Sequence, residues 1–162
     1  MIDNLNNNLE EWIEIRELLI EDIPGYLQVL ANLTEVKTDL ETAKMVYEKD
    51  IATNPLHYIF VAKDKKSLEN ISIIACCTLL VEPKMIGLAN RVGHIEDVSV
   101  AKEYQGIGVG SKIVDFVTRF GLEKIKCVKI ELDCSESTRP FYEKLGFTYN
   151  DIMMKRTNEK MS

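Results

Sequence analysis

The chain has 162 residues, 46% of them hydrophobic and 28% charged, with a formal net charge of −6. That length suits one domain able to bury most of the surface its unfolded form exposes, and the composition excludes a disordered or fibrous protein. The acidic balance speaks against a nucleic-acid binder, which needs clustered Lys and Arg to displace counterions, and leaves room only for a local basic patch that holds one small anion.

The opening stretch, 1–10, reads as a polar tail: Met-Ile-Asp-Asn-Leu-Asn-Asn-Asn lacks both the basic and the apolar region of a secretory leader. No later run approaches the ~18 apolar residues of a membrane span. Residues 11–162 carry no repeat, low-complexity block or Pro/Gly-rich linker, so a single domain is expected there. Trp12 to Leu19 is short and β-branched enough for a first strand. Asp22 can cap a helix with Pro24 in its first turn, and Ile23, Tyr26, Leu27, Leu30 and Leu33 follow at helical spacing. A second helix is expected from Leu40 to Ile51, ending before Asn54-Pro55. Strands follow at Tyr58 to Ala62 and Ile71 to Val81, separated by the charged turn Lys63-Asp64-Lys65-Lys66, with Pro83 as the breaker.

The next strand, His94 to Val100, leads into Gln105-Gly106-Ile107-Gly108-Val109-Gly110 and then a helix with Ile113, Val114, Phe116, Val117 and Phe120 on one side. Strand Val128 to Leu132 comes after it. A short helix, capped by Ser137 or Thr138 and carrying Pro140, stops at Gly146, and Phe147 to Arg156 can form a last strand. The order β, α, α, β, β, β, α, β, α, β describes an α/β domain with a mixed sheet and helices on its faces. The cysteines are Cys76, Cys77, Cys127 and Cys134, with no C-x-x-C pair. They read as reduced core or near-core thiols of a cytoplasmic protein, not as a zinc site or a disulfide framework.

Two segments carry chemistry. Glycines between a strand and a helix let backbone N–H groups approach an anion at a favourable helix terminus, which suits phosphate or pyrophosphate. No Gly-Lys-Ser/Thr follows, so the loop is not a P-loop, and Ser111 replaces the third glycine of a dinucleotide fingerprint. A tight turn without a ligand is the plain alternative. Upstream, Glu96 and Asp97 are adjacent acids inside an otherwise apolar strand, a desolvation cost that signals a site. As strand neighbours they face opposite sides unless a bulge intervenes.

Q-x-x-G-x-G before a helix, with Gln105, Gly108 and Gly110 at its positions, resembles the coenzyme A pyrophosphate loop of the GNAT superfamily of N-acetyltransferases. Gly93-His94-Ile95-Glu96-Asp97-Val98 before it, and Leu132-Asp133-Cys134-Ser135-Glu136 and Pro140-Phe141-Tyr142-Glu143-Lys144-Leu145-Gly146-Phe147 after it, narrow the resemblance. Together they are similar to the eukaryotic glucosamine 6-phosphate N-acetyltransferase family of UDP-N-acetylglucosamine biosynthesis. Weaker likeness runs through Leu30-Ala31-Asn32-Leu33-Thr34 and Glu82-Pro83-Lys84-Met85-Ile86, so the resemblance covers roughly Glu14 to Arg156.

The resemblance implies a mostly antiparallel mixed sheet splayed between its fourth and fifth strands, acetyl-CoA as cosubstrate, no metal and a homodimer. It assigns the pantetheine arm and acetyl carbonyl to the backbone of Val98, Ser99 and Val100, and the pyrophosphate to Gln105, Gly106, Ile107, Gly108, Val109, Gly110 and Ser111. Tyr142 takes the role of proton donor to the leaving thiolate, and Asp133 that of orienting the amine. Glu96 and Asp97 bind sugar hydroxyls and help remove the ammonium proton. Thr34, Lys84 and Arg156 take the sugar phosphate, Arg156 reaching across the dimer. Thr138 stands where many relatives have an Asn that bonds the cofactor, and Ser111 where they often have Lys or Arg. His94 acquires no role, and His57 reads as a strand-edge residue. Two further functions stay open: acetylation of another small amine (an amino sugar, a polyamine or a protein N-terminus), and an acyl-CoA-binding module without catalysis. No nucleic-acid or membrane partner is expected.

Overall fold

The computed structural model describes residues 9, 11–67, 73–87 and 90–157, which fall into two compact units, 1–132 and 133–162. The expected tail 1–10, apart from residue 9, and the expected strand start at Ile71 lie outside the described residues.

The first unit is built on a five-stranded sheet in the order β1-β2-β3-β4-β5. Its strands are β1 (Ile13–Glu17), β2 (His57–Asp64), β3 (Ile73–Pro83), β4 (Arg91–Val100) and β5 (Lys129–Glu131). The first four are mutually antiparallel, and β5 runs parallel to β4. Strand β3 is a continuous apolar run because both its faces are covered. On one face Ile59, Val61 and Cys76 pack with Ile23 and Val29 of helix α1 (Ile23–Leu30). On the other, helix α3 (Val109–Arg119) buries Ile113, Val114 and Val117. The alternation of β2 shows the two layers directly: Val61 joins the α1 cluster, while the ring of its neighbour Phe60 meets Phe116 and Phe120 edge-on at 5.4 and 4.9 Å. Each fully buried aliphatic side chain here contributes ~1.5–3 kcal/mol of transfer free energy. Gly93 leaves room for its neighbours where β4 pairs with β5, since a Cβ on it would lie 2.5 Å from Ile130 Cδ1 and 3.0 Å from Leu79 Cδ1, and those side-chain ends would have to shift.

Local departures have local causes. Strand β1 stops at Glu17 instead of Leu19, and Asp22 does not cap α1. Its buried carboxylate accepts the Arg16 guanidinium at 2.5 and 2.9 Å and the Leu19 N–H at 2.9 Å, folding the chain into a 3₁₀ turn, Ile20–Asp22, before the helix. Burial pushes this carboxyl up, but Arg16 and the Leu19 N–H outweigh that and hold it below the usual range. Helix α1 ends at Leu30, so Leu33 lies in the following turn, exposed. The second helix, α2 (Leu40–Val46), is capped by Asp39, whose side chain accepts the Thr42 N–H at 2.9 Å, and continues as a π-turn to Ile51. Lys63 and Asp64 belong to β2; Asp64 then closes the turn by accepting the Lys66 N–H at 2.8 Å. Strand β4 begins at Arg91, earlier than its β-branched run suggests, because pairing with β3 and β5 carries Arg91 to Gly93 into the sheet.

The second unit holds one short helix, α4 (Arg139–Lys144). It ends as its sequence indicates: Gly146 has φ +87, its N–H donates to Glu143 O at 3.0 Å, and the Phe147 N–H donates to Tyr142 O at 3.1 Å. The start differs. Thr138 is the cap residue but makes no capping bond with its side chain, and Ser135 Oγ accepts the Thr138 N–H at 3.3 Å instead. The expected strand at Phe147 to Arg156 is absent, and the segment has neither helix nor strand. A strand exists only through ladder bonds to another strand, and the described residues of this unit supply none. Among the cysteines, Cys76, Cys77 and Cys127 are buried free thiols as expected, whereas Cys134 is exposed.

Candidate active site

Strand β4 changes register where its two acids lie. Thr78 faces Glu96 and Cys76 faces Ser99, so Asp97 and Val98 together oppose the single residue Cys77. This is a β-bulge, and it is bent hard enough that Asp97 adopts φ +51, a conformation rare for a residue with a side chain. The Cys76 thiol donates to the Asp97 carbonyl at 3.4 Å and steadies the kink. The bulge undoes the strict alternation that would set Glu96 and Asp97 on opposite faces. The Asp97 charge acts on Tyr26, His57 and Cys76 of the face covered by α1, and also on Cys77, the residue opposite the bulge whose side chain lies on the other face.

Below the bulge, β4 pairs with β5 only over Val92 to His94, against Lys129 to Glu131. From Ile95 to Val100 the outer edge of β4 has no strand beside it among the described residues. The sheet is therefore splayed between its fourth and fifth strands, and the open edge presents backbone donors and acceptors to which an extended amide-bearing chain can add as a strand does. Val98, Ser99 and Val100 lie on this edge. The Ser99 hydroxyl is already committed, donating to Val29 O of α1 at 2.7 Å, so only its backbone is available to a ligand.

A 3₁₀ turn, Lys102–Tyr104, links the edge to the glycine loop. Gln105 Nε2 donates to Val100 O at 2.9 Å, tying the loop to the end of the strand. Gly106 and Gly108 have φ of +77 and +95. Gly108 is the left-handed residue immediately before α3, and Lys112 N donates to its carbonyl at 3.0 Å. The N–H groups of Val109, Gly110 and Ser111 precede that first helical bond, which makes them an anion-binding helix start. Val109 contributes only its backbone, because its side chain is in the core. Ile107 is exposed at the loop tip.

On the α1-covered face, cross-strand partners form rows. His57, Leu80 and His94 make one row, and Ile59, Thr78 and Glu96 the next. Burial lowers the His57 imidazole, with the Asp97 charge pulling the other way. Burial pushes the Cys76 thiol up to about 12, and Asp97 adds to the effect, so this sulfur is inert at neutral pH. The Tyr26 phenol is raised above its ordinary value by burial, then by Cys76 and Asp97. Thr78, only 3% exposed, makes no hydrogen bond of normal geometry with its hydroxyl, although the Tyr26 phenol lies close enough to act on it. In the sequence Tyr26 stands only as part of an apolar helical stripe and Thr78 is not singled out. A tyrosine in such a stripe and a threonine inside a β-branched run give no sign that they lie near each other.

Further along the same face, Lys84 Nζ and His94 Nε2 stand 2.5 and 3.2 Å from one oxygen, Glu82 Oε2. The Lys84 hydrogen bond holds the Glu82 carboxyl below its usual range against desolvation, and the His94 hydrogen bond adds to it. The sequence motif marks Lys84 as an anion ligand but gives no hint of this shared carboxylate. Thr34 is exposed in the turn after α1, its N–H donating to Leu30 O at 3.2 Å.

Asp133, Thr138, Tyr142 and Arg156 belong to the second unit. Asp133 is exposed directly after β5. The Thr138 hydroxyl is engaged with Ser135, 3.0 Å from its Oγ and 3.1 Å from its carbonyl. The half-buried Tyr142 ring packs edge-on against Phe141 and Phe147, at 4.9 and 6.0 Å between centroids. Arg156 is exposed on the segment without secondary structure. Among the described residues no group of three or more His, Cys, Asp or Glu could hold a metal ion, and no helix is long and apolar enough to cross a membrane.

The Acetyltransferase (GNAT) family model matches residues 12–147, a span that crosses both units. Among curated proteins the chain is similar to glucosamine 6-phosphate N-acetyltransferase 1 of Dictyostelium discoideum, 34% identical over 151 residues that cover 93% of this chain and 94% of that protein. The glucosamine 6-phosphate N-acetyltransferase of Trypanosoma brucei brucei is 32% identical over 145 residues, 88% of this chain and 94% of that one. Among solved structures, glucosamine-6-phosphate N-acetyltransferase of Arabidopsis thaliana superposes with a TM-score of 0.80 at 29% identity, covering 90% of this chain and 97% of that one.

Proposed function

The chain belongs to the GNAT family of acetyltransferases, and from that premise we propose that it moves the acetyl group of acetyl-CoA to the 2-amino group of D-glucosamine 6-phosphate. The observation that carries this reading is the bulge at Asp97, which breaks the strict alternation of two adjacent acids at the head of an open strand edge. The names of the curated relatives supply the acceptor. In this reading residues 11–162 act as one acetyltransferase domain in the cytoplasm, as a homodimer.

Acetyl-CoA is a substrate here, and its pantetheine arm adds along Val98, Ser99 and Val100. Its pyrophosphate takes the N–H groups of the loop from Gln105 to Ser111. Because Ser111 supplies no cation, binding leans on backbone donors and the helix terminus. Thr138 assists with its hydroxyl. The acceptor enters as an ammonium and must give up a proton before it can attack. Glu96 and Asp97 hold the sugar and help take that proton, and Asp133 orients the amine. As the nitrogen–carbon bond forms, charge collects on the thioester oxygen, which backbone N–H groups of the β4 edge stabilise. The carbon–sulfur bond then breaks, and the leaving thiolate takes its proton from the Tyr142 phenol. Thr34, Lys84 and Arg156 hold the 6-phosphate, Arg156 from the partner side of the dimer.

The test is release of free thiol from acetyl-CoA across a panel of amines: glucosamine 6-phosphate, glucosamine, other amino sugars, polyamines and peptide N-termini. Two charge-assisted contacts to the phosphate, at roughly 1.5–3 kcal/mol each, set glucosamine 6-phosphate above glucosamine by about two to four powers of ten in kcat/KM. Arg156→Ala should shrink that preference and spare acetyl-CoA binding. Equal efficiency with both sugars would overturn the acceptor assignment while leaving acetyl transfer standing.

A further inference from the structure

Two N–H donors that meet on one oxygen, one of them an ammonium, define a place where an anion sits. Lys84 Nζ and His94 Nε2 do so at Glu82 Oε2, at 2.5 and 3.2 Å. A carboxylate can only accept, so both nitrogens are donors in this arrangement. The side chains of Lys84 and His94 are about two-thirds buried, at 33% and 32% exposure, whereas that of Glu82 is 49% exposed. The donors are therefore the more fixed partners, and the carboxylate can swing into water at small cost. His94 and Glu96 lie two residues apart on the same face of β4, through their partners Leu80 and Thr78. That spacing is about 7 Å along a strand, roughly the reach of one sugar ring from an amine held at Glu96 to an anionic group held at His94.

Resting on the acceptor reading above, we propose that His94 joins Lys84 in a phosphate seat and that Glu82 is its built-in occupant, displaced when the 6-phosphate arrives. This gives His94 and Glu82 roles in acceptor selection. With Glu82 in place the resting seat is close to neutral, so a stray monoanion gains little by entering. A phosphate monoester carries about −1.5 to −2 charges near neutral pH and three acceptor oxygens, enough to outcompete a single tethered carboxylate. Glu82 thus raises the threshold for occupancy and turns a general anion site into one that favours a dianion.

The experiment titrates inorganic phosphate into the protein saturated with CoA, so that the glycine loop is already filled, and follows binding by calorimetry. Removing the competing charge in Glu82→Gln should tighten phosphate binding by about 2- to 5-fold, the scale of one partly exposed ion pair. Lys84→Met and His94→Gln should each weaken it, and both should reduce the preference for glucosamine 6-phosphate over glucosamine in the thiol-release assay. Unchanged or weaker phosphate binding in Glu82→Gln would overturn the proposal, because the carboxylate would then be a support for Lys84 and His94 and not their resting ligand. Unchanged binding in His94→Gln would remove His94 from the seat. The titration is independent of turnover: a wild-type protein that binds phosphate in this way but does not acetylate glucosamine 6-phosphate would sink the acceptor reading and leave the seat intact.

Discussion

Strand β4 with its glycine loop and the segment 147–157 both read as structure in the sequence, yet only the first forms it. Val92 to Val100 finds β3 along its length and β5 at its start, all within the first unit, so its β-branched pattern becomes a strand with a defined bulge. Phe147 to Arg156 has comparable apolar content but no strand pairs with it among the described residues, and beyond Phe147, which packs on Tyr142, its large apolar residues are exposed, Ile152 at 76% and Met154 at 89%. Strand propensity states what a segment can do when offered an edge; the edge comes from elsewhere. The proposed homodimer would offer such an edge from a second copy, and the segment carrying Arg156 would then depend on assembly in a way the β4 region does not.

The largest expected effect falls on the second unit. Tyr142→Phe should lower kcat by about 10²–10⁴-fold with smaller changes in the Michaelis constants, because the leaving thiolate exists only late in the reaction. Steady-state kinetics decide it, and a loss under about threefold would reduce Tyr142 to its packing against Phe141 and Phe147. Next comes the first unit's own stability. Asp22→Asn should cost about 3 kcal/mol by leaving the partly buried Arg16 guanidinium without its counter-charge. The Asp22 carboxyl is held below its unfolded value, so its stabilisation is complete above the ordinary carboxylate range and disappears as pH falls through the lower folded value. Denaturant midpoints of wild type and variant should therefore converge on acidification, and a gap independent of pH would contradict the pairing account.

A smaller effect tests whether the loop is as self-contained as β4. Gly108→Val should weaken acetyl-CoA at least about tenfold, since φ +95 strains any β-branched residue and a side chain would crowd the helix start. Calorimetry with the folded variant measures it, and unaltered affinity would move the pyrophosphate elsewhere. The smallest effect should come from the double change Ile152→Asp and Met154→Asp. Acetyl-CoA affinity and thermal stability should stay within ~0.5 kcal/mol of wild type, as for other exposed positions, while light scattering loses the dimer. A dimer that survives both charges would show that the segment needs no second copy.

How far the site could be read from the sequence follows the same division. The glycine loop was legible because φ above zero and close backbone approach both demand glycine, and Gly106 and Gly108 have that geometry. The two acids were legible as a cost in an apolar strand, but whether a bulge lies at them was not, since the register change at Cys77 depends on pairing with β3. The contrast between an Asp22 cap and the observed Arg16–Asp22 pair has the same origin: an N-terminal Asp before Pro24 is a sound local signal that a partner six residues upstream overrides. Glu82 appears in the sequence only inside a segment of family likeness, for a plainer reason. It shares one oxygen between Lys84, just past the end of β3, and His94 of β4, which no window of sequence displays.

The central claim concerns where the acetyl group goes, and the product answers it most directly. The protein, acetyl-CoA and glucosamine 6-phosphate are incubated together, and the product is isolated and examined by two-dimensional NMR and mass spectrometry. The expected product is one acetyl group on the 2-nitrogen with the 6-phosphate intact, formed in equal amount with free CoA. Free CoA without an acetylated sugar, or an acetyl group on a hydroxyl, would contradict the assignment of Glu96, Asp97, Asp133 and Tyr142 to amine acetylation.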